Sequence, residues 1–555
     1  MSLLAALVPE AVHLLGATGS QIPAPRINYV AILPELILMG GALLLLLAGE
    51  IVFVRIPTVF YSVSSGLIAT AALVASLVLW YDVQRSGPYT TIAHSVAVDG
   101  FSVVFLVLVS CVLIVASFAA HGYLVREQIR GSEYHVLALL AGAGAMLMAA
   151  ANDLVLIFVA LEIMSIPLYI LAGLDQRRRE SGEAAMKYFV LGAFSSAVFV
   201  YGIALVYGAT GSTNLTQITS YLSYNVVTSN GLLLAGLALL LVGFGFKVAA
   251  VPFHMWTPDV YQGAPTPATG FMAALAKAGG FAALLRVFFS SFGLLRTDWQ
   301  PILWALCIVT LLLGAFSGLV QRDIKRMLAY SSINNAGFML LGLQAATTRG
   351  VTATLYYVFI YAFLVLGSFA VVAVIGRRGD RGHDLDSYRS LGRRQPVLAL
   401  GFTILLLAQM GVPFTTGFWA KLYVVSASIR SHSYALAVIA MLSGAVAAAY
   451  YLRVVYLMYG ARLPVGAESE AGSVSLALAG GDAPPPHDAG DGSGVIEPGY
   501  GEDGDVPPAH SVGVGPIQVP VSTAIAIAIT VSFTVVFGIW PAPLVNFVHA
   551  AGLLF

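Results

Sequence analysis

The chain has 555 residues, of which 59% are hydrophobic and only 10% are charged, and its formal net charge is zero. Soluble domains carry about 25% charged residues, so this composition excludes an ordinary soluble protein, and the balanced charge gives no electrostatic case for nucleic-acid binding. Continuous apolar runs of about 20 residues, instead of alternating ten-residue strands, exclude a transmembrane barrel and predict an all-α polytopic membrane protein.

Hydropathy along the chain, taken over a window of about 19 residues, predicts fourteen membrane spans. They lie near residues 30–49, 58–81, 101–122, 134–150, 153–174, 184–208, 231–255, 265–290, 300–319, 327–344, 353–376, 397–429, 434–460 and 519–540. The seventh and twelfth spans are predicted to be broken, since the seventh contains Pro252 and the twelfth contains Gly411, Pro413 and Gly417. Interrupted spans in both halves indicate a transporter built from two inverted five-helix repeats, spans four to eight and spans nine to thirteen.

The same pattern divides the chain into six units. These are an N-terminal extension at 1–29, three spans at 30–122, the first repeat at 134–290, the second repeat at 300–460, a polar loop at 463–518 and the last span at 519–540. The loop is rich in Gly, Pro, Ala and Ser, and it contains nine acidic residues and no lysine or arginine. That composition is typical of a disordered segment, which we interpret as a tolerated insertion, with contact to a partner as the alternative.

The basic residues predict the orientation of the chain in the membrane. Loops that follow odd-numbered spans contain sixteen Lys and Arg residues, whereas the other loops and the N-terminal tail together contain five. Because loops rich in Lys and Arg stay in the cytoplasm, the odd loops and the acidic loop 463–518 are predicted to be cytoplasmic, with both termini outside. The first residues, MSLLAALVPE, lack the positive charge that begins a cleaved signal peptide.

The cysteines and histidines give no sign of a redox centre. Cys111 and Cys307 are isolated within apolar segments, which predicts small core residues and neither an iron–sulfur cluster nor a zinc site. The ten histidines include no pair on one apolar face that would suit a haem. We therefore expect no cofactor and no metal in this chain.

The distribution of lysines is the strongest functional signal. The chain has five lysines, and four of them lie in predicted spans: Lys187, Lys247, Lys277 and Lys421. Arginine effectively never releases its proton, whereas a buried lysine can, so this distribution is what a proton carrier needs. A genomic preference for arginine would explain the arginines of the loops but not the positions at which lysine remains.

Glu162 lies in the middle of the fifth span, where a carboxylate is costly unless it is paired or protonated. Lys187, in the sixth span, is its nearest candidate partner and lies about two turns from the cytoplasmic side. Alternatively, Glu162 is a neutral acid that is hydrogen-bonded within the bundle, and Lys187 extends its side chain to the membrane surface.

The other three lysines lie beside or between the predicted breaks. Lys247 precedes Pro252 by five residues, and Lys421 follows Pro413 by eight, so each ammonium is expected near backbone groups that the break leaves unpaired. Lys277 lies near the centre of the eighth span, too deep to reach the surface easily.

Five more residues remain open at this point. His254 and Asp259 flank the first break, and His254 is either a proton relay or a hydrogen-bonded structural histidine. Glu35 is a buried acid in the first span without an assigned role. Arg286 and Arg453 lie near span ends, where we expect their side chains to extend to the membrane surface.

Several segments resemble the antiporter-like membrane subunits of respiratory complex I and their cation/proton antiporter relatives. Three of them are VPFHMWTPDVYQGAPTPATGFMAALAK at 251–277, RDIKRMLAYSSINNAGFMLLG at 322–342 and GFWAKLYV at 417–424. Within this family, NDLVLIFVALEIMSIPLYILAG and the EAAMKYFVLGAFSSAVFVYGIALVYGATGS that follows are most similar to the subunit N type. The chain also stops soon after the fourteenth span, unlike subunit L, and it has Lys421 where subunit M resembles a form with glutamate.

The resemblance implies a role for each buried charge. Glu162 and Lys187 would form the charge pair of a proton channel, with Lys247 as its central lysine, Lys277 as the connecting lysine and Lys421 as the exit-side group. It also implies a multi-pass location in a bacterial inner membrane and partners among the other membrane subunits of complex I, including M-like and K-like neighbours. NAD, FMN, iron–sulfur clusters and quinone would belong to partner subunits.

The expected function is therefore proton translocation coupled to electron transfer from NADH to quinone elsewhere in the complex. Separation of the Glu162–Lys187 pair would let Glu162 stabilise protonated Lys247 and so switch its proton affinity. Two alternatives stay open, a stand-alone cation/proton antiporter and a scaffold subunit that does not pump. The subunit N pattern argues against the first, and the cost of keeping unused charges in a membrane argues against the second.

Overall fold

A computed structural model of the chain describes residues 27–51, 56–225, 231–460 and 517–552. Most of the predicted N-terminal extension and nearly all of the acidic loop 463–518 lie outside these residues, so their predicted disorder and position stay predictions.

The described part of the chain forms nineteen α-helices and one small hairpin. Up to the first break it contains α1 (Leu33–Ile51), α2 (Thr58–Ser86), β1 (Tyr89–Thr91), β2 (Val96–Val98), α3 (Gly100–Arg126), α4 (Glu133–Ala150), α5 (Leu154–Ala172), α6 (Arg179–Thr210), α7 (Leu215–Tyr224) and α8 (Gly231–Val248). It continues with α9 (Trp256–Gly263), α10 (Thr266–Leu285), α11 (Arg296–Leu319), α12 (Ile324–Gln344), α13 (Thr348–Ile375), α14 (Leu391–Arg394), α15 (Pro396–Met410), α16 (Thr416–Arg430), α17 (Tyr434–Tyr459), α18 (Val521–Ile539) and α19 (Ala542–His549). The predicted all-α membrane fold is confirmed, and the antiparallel hairpin β1–β2, with Tyr89 opposite Val98, is an addition to it.

Eleven helical segments of the described chain are long and apolar enough to cross a membrane. Helices α1 and α15 are apolar but shorter, and α12 is long but more polar. All fourteen predicted spans fall on helices, while the number of membrane crossings stays a prediction of the hydropathy pattern.

Both predicted interruptions occur in the chain. Helix α8 ends at Val248, well before Pro252, and the path through the break contains the short helix α9. Helix α15 ends at Met410 and is followed by Gly411, which has a φ of +91°. A side chain on Gly411 would be strained at this φ and would meet the Lys421 stem, since a Cβ built there lies 2.9 Å from Lys421 Cδ. Glycine at this position therefore lets the broken helix and Lys421 approach each other.

Two helices form the centre of the bundle. Every residue of α10 is buried, and α13 is buried along nearly all of its length. The two pack against each other, and α3 lies against both. Because α10 is enclosed on all sides, a charge in its middle has no route to a lipid-facing surface.

Four arginine-rich loops, each following an odd-numbered predicted span, meet at one end of the bundle, which we call the basic face. It is formed by residues 127–132, 173–178, 320–323 and 376–390. Arg126 donates to the Gly376 carbonyl over 2.6 Å, Arg178 binds Asp380 over 3.0 Å, and Asp323 forms a backbone bridge with Asp384. The hairpin β1–β2 and the residue that caps α3, Asp99, lie at the opposite end, the second face.

Candidate functional site

Lys247 is buried at the end of α8, next to the first break. Its ammonium donates to Ser165 Oγ of α5 over 2.7 Å, and the side chain is 2% exposed. Ser165 in turn donates to the Leu161 carbonyl. The predicted central lysine is therefore held by one neutral hydroxyl and, among the described residues, has no ion-pair partner within 4 Å.

Glu162 lies on the same helix as Ser165, three residues earlier, so the two side chains share one face of α5. The Glu162 carboxylate accepts a hydrogen bond from Ser196 Oγ of α6. A small cavity of about 10 Å³ between α5, α6 and α8 is lined by Ser165, Ser196 and Lys247, which is about the least volume that holds one water molecule. Lys247 thus borders a space lined by hydroxyl groups, and Glu162 binds one of these hydroxyls, that of Ser196.

The expected contact between Glu162 and Lys187 is wrong for this structure. The Lys187 ammonium lies 2.8 Å from Glu183 Oε1 and 2.9 Å from Asp259 Oδ2. Lys187 is eight residues after the start of α6, whereas Ser196, which meets Glu162, is nine residues further on, about 13.5 Å along the helix axis. Lys187 therefore faces the basic face, while Glu162 lies deeper in the bundle.

Asp259 connects the two halves of the chain. Besides Lys187 of α6, its carboxylate accepts from Arg326 Nη1 of α12 over 2.7 Å, and Arg326 also donates to Gln262 Oε1 over 3.0 Å. Burial raises the pKa of Asp259, but its hydrogen bonds to Lys187 and Arg326 outweigh burial, and the net pKa is lowered. Asp259 is therefore an ionised partner for Lys187, a role that its position beside a break in the sequence did not reveal.

A second cluster lies directly beside Asp259 and was missed by sequence reasoning. The carboxylate of Asp380 is completely buried and accepts from Lys325 Nζ, Arg178 Nη1, Thr266 Oγ1 and His383 Nε2 at 2.7 to 3.1 Å. Burial alone would raise the pKa of Asp380, but Lys325 and the other donors hold it well below its usual value. The cluster joins α6, α10 and α12. In the sequence, the segment DIKR at 323–326, which contains Lys325, was the one indication of this cluster.

An open cleft leads from the basic face to these two clusters. Its volume is about 480 Å³, and its walls include Glu183, Lys187, Asp259, Asp323 and His383. Water and protons can therefore reach the Lys187–Asp259 pair from this face.

Lys277 lies in the middle of α10 and is 2% exposed. Its ammonium donates to the Ser332 carbonyl of α12 and lies 5.1 Å from the centre of the Tyr361 ring. Tyr361 donates its hydroxyl hydrogen to Ser332 Oγ over 2.7 Å. Lys277 therefore faces the second half of the chain, and its role as a connecting lysine stays a prediction.

Lys421 lies directly across the second break. Its ammonium donates to the Met410 carbonyl, at the end of α15, over 2.8 Å, and lies 4.8 Å from the centre of the Phe338 ring. The prediction that the break offers an unpaired carbonyl to this lysine is met, because no residue follows in helical geometry to use it.

A polar chain that the sequence did not reveal connects Lys277 with Lys421. Ser331, the residue before Ser332, donates to Gln409 Oε1 over 3.2 Å, and Gln409 Nε2 donates to Ser368 Oγ over 2.8 Å. Gln409 directly precedes Met410, whose carbonyl binds Lys421. Each lysine therefore binds the residue next to one member of the Ser331–Gln409 hydrogen bond, which lies between the two lysines.

His254 lies in the path between α8 and α9 and is half-buried. Its Nδ1 has no hydrogen-bond partner within the described residues, and no hydrogen bond joins its ring to Lys247 there. Glu35 is buried at the start of α1 with one carboxylate oxygen equally unpartnered in that part of the chain.

The expectation for Arg286 is wrong. Its side chain is fully buried, and two guanidinium nitrogens bind the Asp99 carboxylate over 2.9 and 2.8 Å, while Nε donates to the Ala149 carbonyl over 3.1 Å. The end of α10 is covered by α3 and α4, so no membrane surface is within reach. Arg453, by contrast, is exposed near its helix end.

Within the described residues, no group of three or more His, Cys, Asp or Glu side chains is arranged to hold a metal ion. Both cysteines are free, Cys307 buried and Cys111 partly so. The site consists of the buried charges Glu162, Lys247, Lys277 and Lys421 and the clusters at the basic face.

Comparison with known proteins gives consistent matches. Residues 151–447 match the membrane domain family of NADH:quinone oxidoreductase and Mrp antiporters. The NADH-quinone oxidoreductase subunit N 1 of Solibacter usitatus is 41% identical over 77% of this chain and 86% of its own length. The subunit N of Trichlorobacter lovleyi is 42% identical over 78% of this chain and 88% of its own length.

Solved structures match over nearly the whole described chain. A chain of respiratory complex I from Thermus thermophilus superposes with a TM-score of 0.71 and 31% identity, covering 94% of this chain and 100% of that one. A chain of the Mrp complex from Dietzia superposes with a TM-score of 0.77 at 19% identity, over 94% of this chain and 96% of that one. The second likeness extends to the fold alone.

Proposed function

We propose, from the premise that this chain belongs to the NADH-quinone oxidoreductase subunit N family, a route for protons through its membrane domain. The chain is a multi-pass membrane subunit of an NADH-quinone oxidoreductase and takes part in proton translocation. It works beside other membrane subunits, and we assign M-like and K-like subunits as its direct neighbours. Electron transfer, with its NAD, FMN, iron–sulfur clusters and quinone, takes place in the partner subunits.

The orientation follows from the basic face. Loops rich in arginine remain on the cytoplasmic side, so the basic face with its open cleft is cytoplasmic and the second face is periplasmic. The cleft beside Asp259 is then the proton uptake side in a bacterial inner membrane. In this orientation both termini are periplasmic and the acidic loop 463–518 is cytoplasmic.

The proposed route takes the groups in their order from the cleft to the second break. A proton passes from the cleft to the hydroxyl-lined space beside Lys247 and resides on Lys247. It continues through Lys277 and the Ser331–Gln409 chain to Lys421, from which it leaves on the periplasmic side. His254 lies beside this route and is a weaker candidate, because no hydrogen bond joins its ring to Lys247.

Lys187 acts as a gate with two positions. In this structure it is held by Asp259 and Glu183, which leaves Glu162 free to stabilise a proton on Lys247. In the second position Lys187 moves to Glu162 and removes that stabilisation. Two charges 4 Å apart interact by about 4 kcal/mol at an effective dielectric constant near 20, and moving one charge against 150 mV costs about 3.5 kcal/mol. The two energies are of similar size, which supports the coupling of one gate movement to one proton.

The single observation that carries this proposal is the Lys247 ammonium, which is buried and, among the described residues, hydrogen-bonded to Ser165 Oγ alone. The test is proton pumping by the intact complex with Lys247→Ala and Lys247→Arg. Arginine keeps the charge but does not release a proton, so both variants should assemble and lose pumping. Full pumping in Lys247→Arg would overturn the proposal.

The stand-alone antiporter remains a second candidate because of the fold shared with the Mrp chain. Vesicles that contain this chain alone would separate the two functions. Exchange of Na⁺ or K⁺ for protons without NADH would favour the antiporter, and its absence together with pumping by the complex would favour the subunit N function. A scaffold role would leave pumping intact in both Lys247 variants.

A further inference from the structure

A second large cavity lies at the basic face, away from the proton route. Its volume is about 590 Å³, and it lies where α3 ends, α13 ends and α18 begins. Its inner wall is apolar and includes Ala119, Val374, Ile375 and Pro520, and three arginines line it: Arg126, Arg377 and Arg394.

The guanidinium group of Arg126 forms hydrogen bonds to the described residues through two of its three nitrogens. Its Nε binds Glu127 Oε1 over 2.8 Å, and its Nη1 donates to the carbonyls of Ala373 and Gly376, each over 2.6 Å. Its Nη2 is buried and has no hydrogen-bond partner in the part of the chain that the structure describes. Nη2 is therefore the guanidinium nitrogen that can donate a hydrogen bond to a bound anion.

Arg377 and Arg394 have no carboxylate within 4 Å among the described residues. Burial lowers the pKa of Arg394, and the charge of Arg377 lowers it further, so the two guanidinium groups are close enough to repel each other. Like charges collected on an apolar wall are stabilised when an anion lies between them.

We propose that this cavity binds an anionic phospholipid, with its phosphate between Arg126, Arg377 and Arg394 and an acyl chain against the apolar wall. The planar guanidinium matches the geometry of a phosphate. The cavity lies at the ends of three membrane helices, which is the level of the lipid headgroups, and basic pockets between helices at the cytoplasmic side bind acidic headgroups. This site is separate from proton translocation and does not depend on it.

The acidic loop 463–518 is the rival occupant, since Ile517, which follows its last undescribed residue, lines the cavity. Gln395 Nε2 donates to the Ile517 carbonyl over 2.9 Å and so holds this end of the segment at the wall. Carboxylates of the loop would also satisfy the arginines. The position of the cavity, at the ends of three membrane helices and at the level of the lipid headgroups, favours a lipid.

The test uses the purified complex in detergent, washed to remove loosely held lipid, with the retained phosphatidylglycerol measured by mass spectrometry. The variant Arg377→Gln/Arg394→Gln removes two of the three lining charges. The matched control Arg378→Gln/Arg393→Gln removes the same charge from the adjacent positions, which are exposed and do not line the cavity. NADH:quinone activity and subunit content show that each complex is assembled.

We expect the lining variant to retain about one phosphatidylglycerol fewer per complex and the control to retain as much as the unaltered complex. Phosphatidylcholine and inorganic phosphate, added at the same concentration, should not displace the bound lipid. Equal loss in both variants, or no loss in either, would overturn the proposal. Displacement of the lipid by inorganic phosphate would indicate a phosphate site. In an Arg394→Lys variant, chemical cross-links from the new lysine to carboxylates of the loop, with no lipid retained, would assign the cavity to the loop. Either result excludes the lipid.

Discussion

The Lys187 ammonium lies 2.9 Å from the Asp259 carboxylate, although the chain also offers it Glu162 in the neighbouring helix. Asp259 is bound by Arg326 at the same time, so one carboxylate holds a cation from each half of the chain. If Lys187 moves to Glu162, Asp259 remains charged and paired with Arg326. Lys187 can therefore leave Asp259 and return to it without leaving the Asp259 carboxylate unpaired.

The first prediction concerns Asp259→Asn. This change should release Lys187 toward Glu162, lower the proton affinity of Lys247 and reduce pumping several-fold. Stability should change by no more than about 1 kcal/mol, because both side chains of the ion pair are partly exposed. Proton pumping by the reconstituted complex measures the effect.

Glu183→Gln provides the control for Asp259→Asn. It removes the other carboxylate that touches Lys187, but Glu183 is more exposed and does not contact the second half of the chain. Pumping should remain close to normal. Equal loss of pumping in the two variants would show that charge at the cleft, and not the Lys187–Asp259 contact, matters.

The second prediction concerns Gln409→Leu, which interrupts the polar chain between Lys277 and Lys421. It removes the amide oxygen that accepts from Ser331 and the amide nitrogen that donates to Ser368. We therefore expect the stability to fall by about 1–3 kcal/mol and pumping to be strongly reduced. Thermal unfolding and proton pumping are measured on the same preparation.

Asn334→Leu is the matched control for Gln409→Leu. Asn334 is also buried on α12, but it donates to the Leu311 carbonyl of α11 and to Ser443 Oγ of α17 and forms no hydrogen bond with Gln409. It should cost similar stability and leave pumping largely intact. A similar loss of pumping in both variants would mean that packing of α12, not the chain of hydrogen bonds, is required.

The sequence predicted the helices and the burial of Lys247 and Lys277, because both follow from local signals. It did not predict that Lys325, outside the predicted spans, is fully buried against Asp380. Continuous hydropathy marks a span, and a proline marks a break, without any knowledge of what packs nearby. The bonding partners of the charges depend on contacts between helices that are far apart in the chain. Asp380 contacts Arg178 and Lys325 across 202 and 55 residues, and no local pattern records such distances.

The same reason explains the errors for Lys187 and Arg286. Proximity in sequence favoured Glu162 as the partner of Lys187, yet the 72-residue separation from Asp259 is closed by the fold. Position near a helix end suggested that Arg286 extends to the surface, yet α3 and α4 cover that end. The position of a charged residue within a predicted span gives its depth in the membrane, but it does not give the helix that the side chain contacts.

The third prediction concerns the pH dependence of stability through Asp380. Its pKa is depressed in the folded protein, so its contribution is complete above its ordinary pKa of about 4 and is lost as pH falls toward the folded value. Asp380→Asn leaves the buried Lys325 uncompensated and should cost about 3–5 kcal/mol at neutral pH. Thermal unfolding from pH 7 down to about pH 2 measures both effects.

Asp386→Asn is the control for Asp380→Asn. Asp386 binds Arg389 at the exposed surface of the same loop, with 70% of its side chain accessible. Such pairs contribute about 0–1 kcal/mol, so its unfolding temperature should hardly change. If Asp380→Asn were equally harmless, the cluster would not hold the two halves of the chain together.

The fourth prediction concerns the buried pair of Arg286 and Asp99, neither of which has an exposed side chain. Arg286→Met leaves the Asp99 carboxylate without its cation, which should destabilise the protein by about 3–5 kcal/mol. Asp99→Asn keeps a side chain that can cap α3 and removes the negative charge instead. In the double variant neither charge remains, so the loss should be clearly smaller than the sum of the two single losses. Thermal unfolding of the unaltered protein, the two single variants and the double variant completes a double-mutant cycle. Strict additivity of the two losses would show that the two side chains stabilise the second face independently.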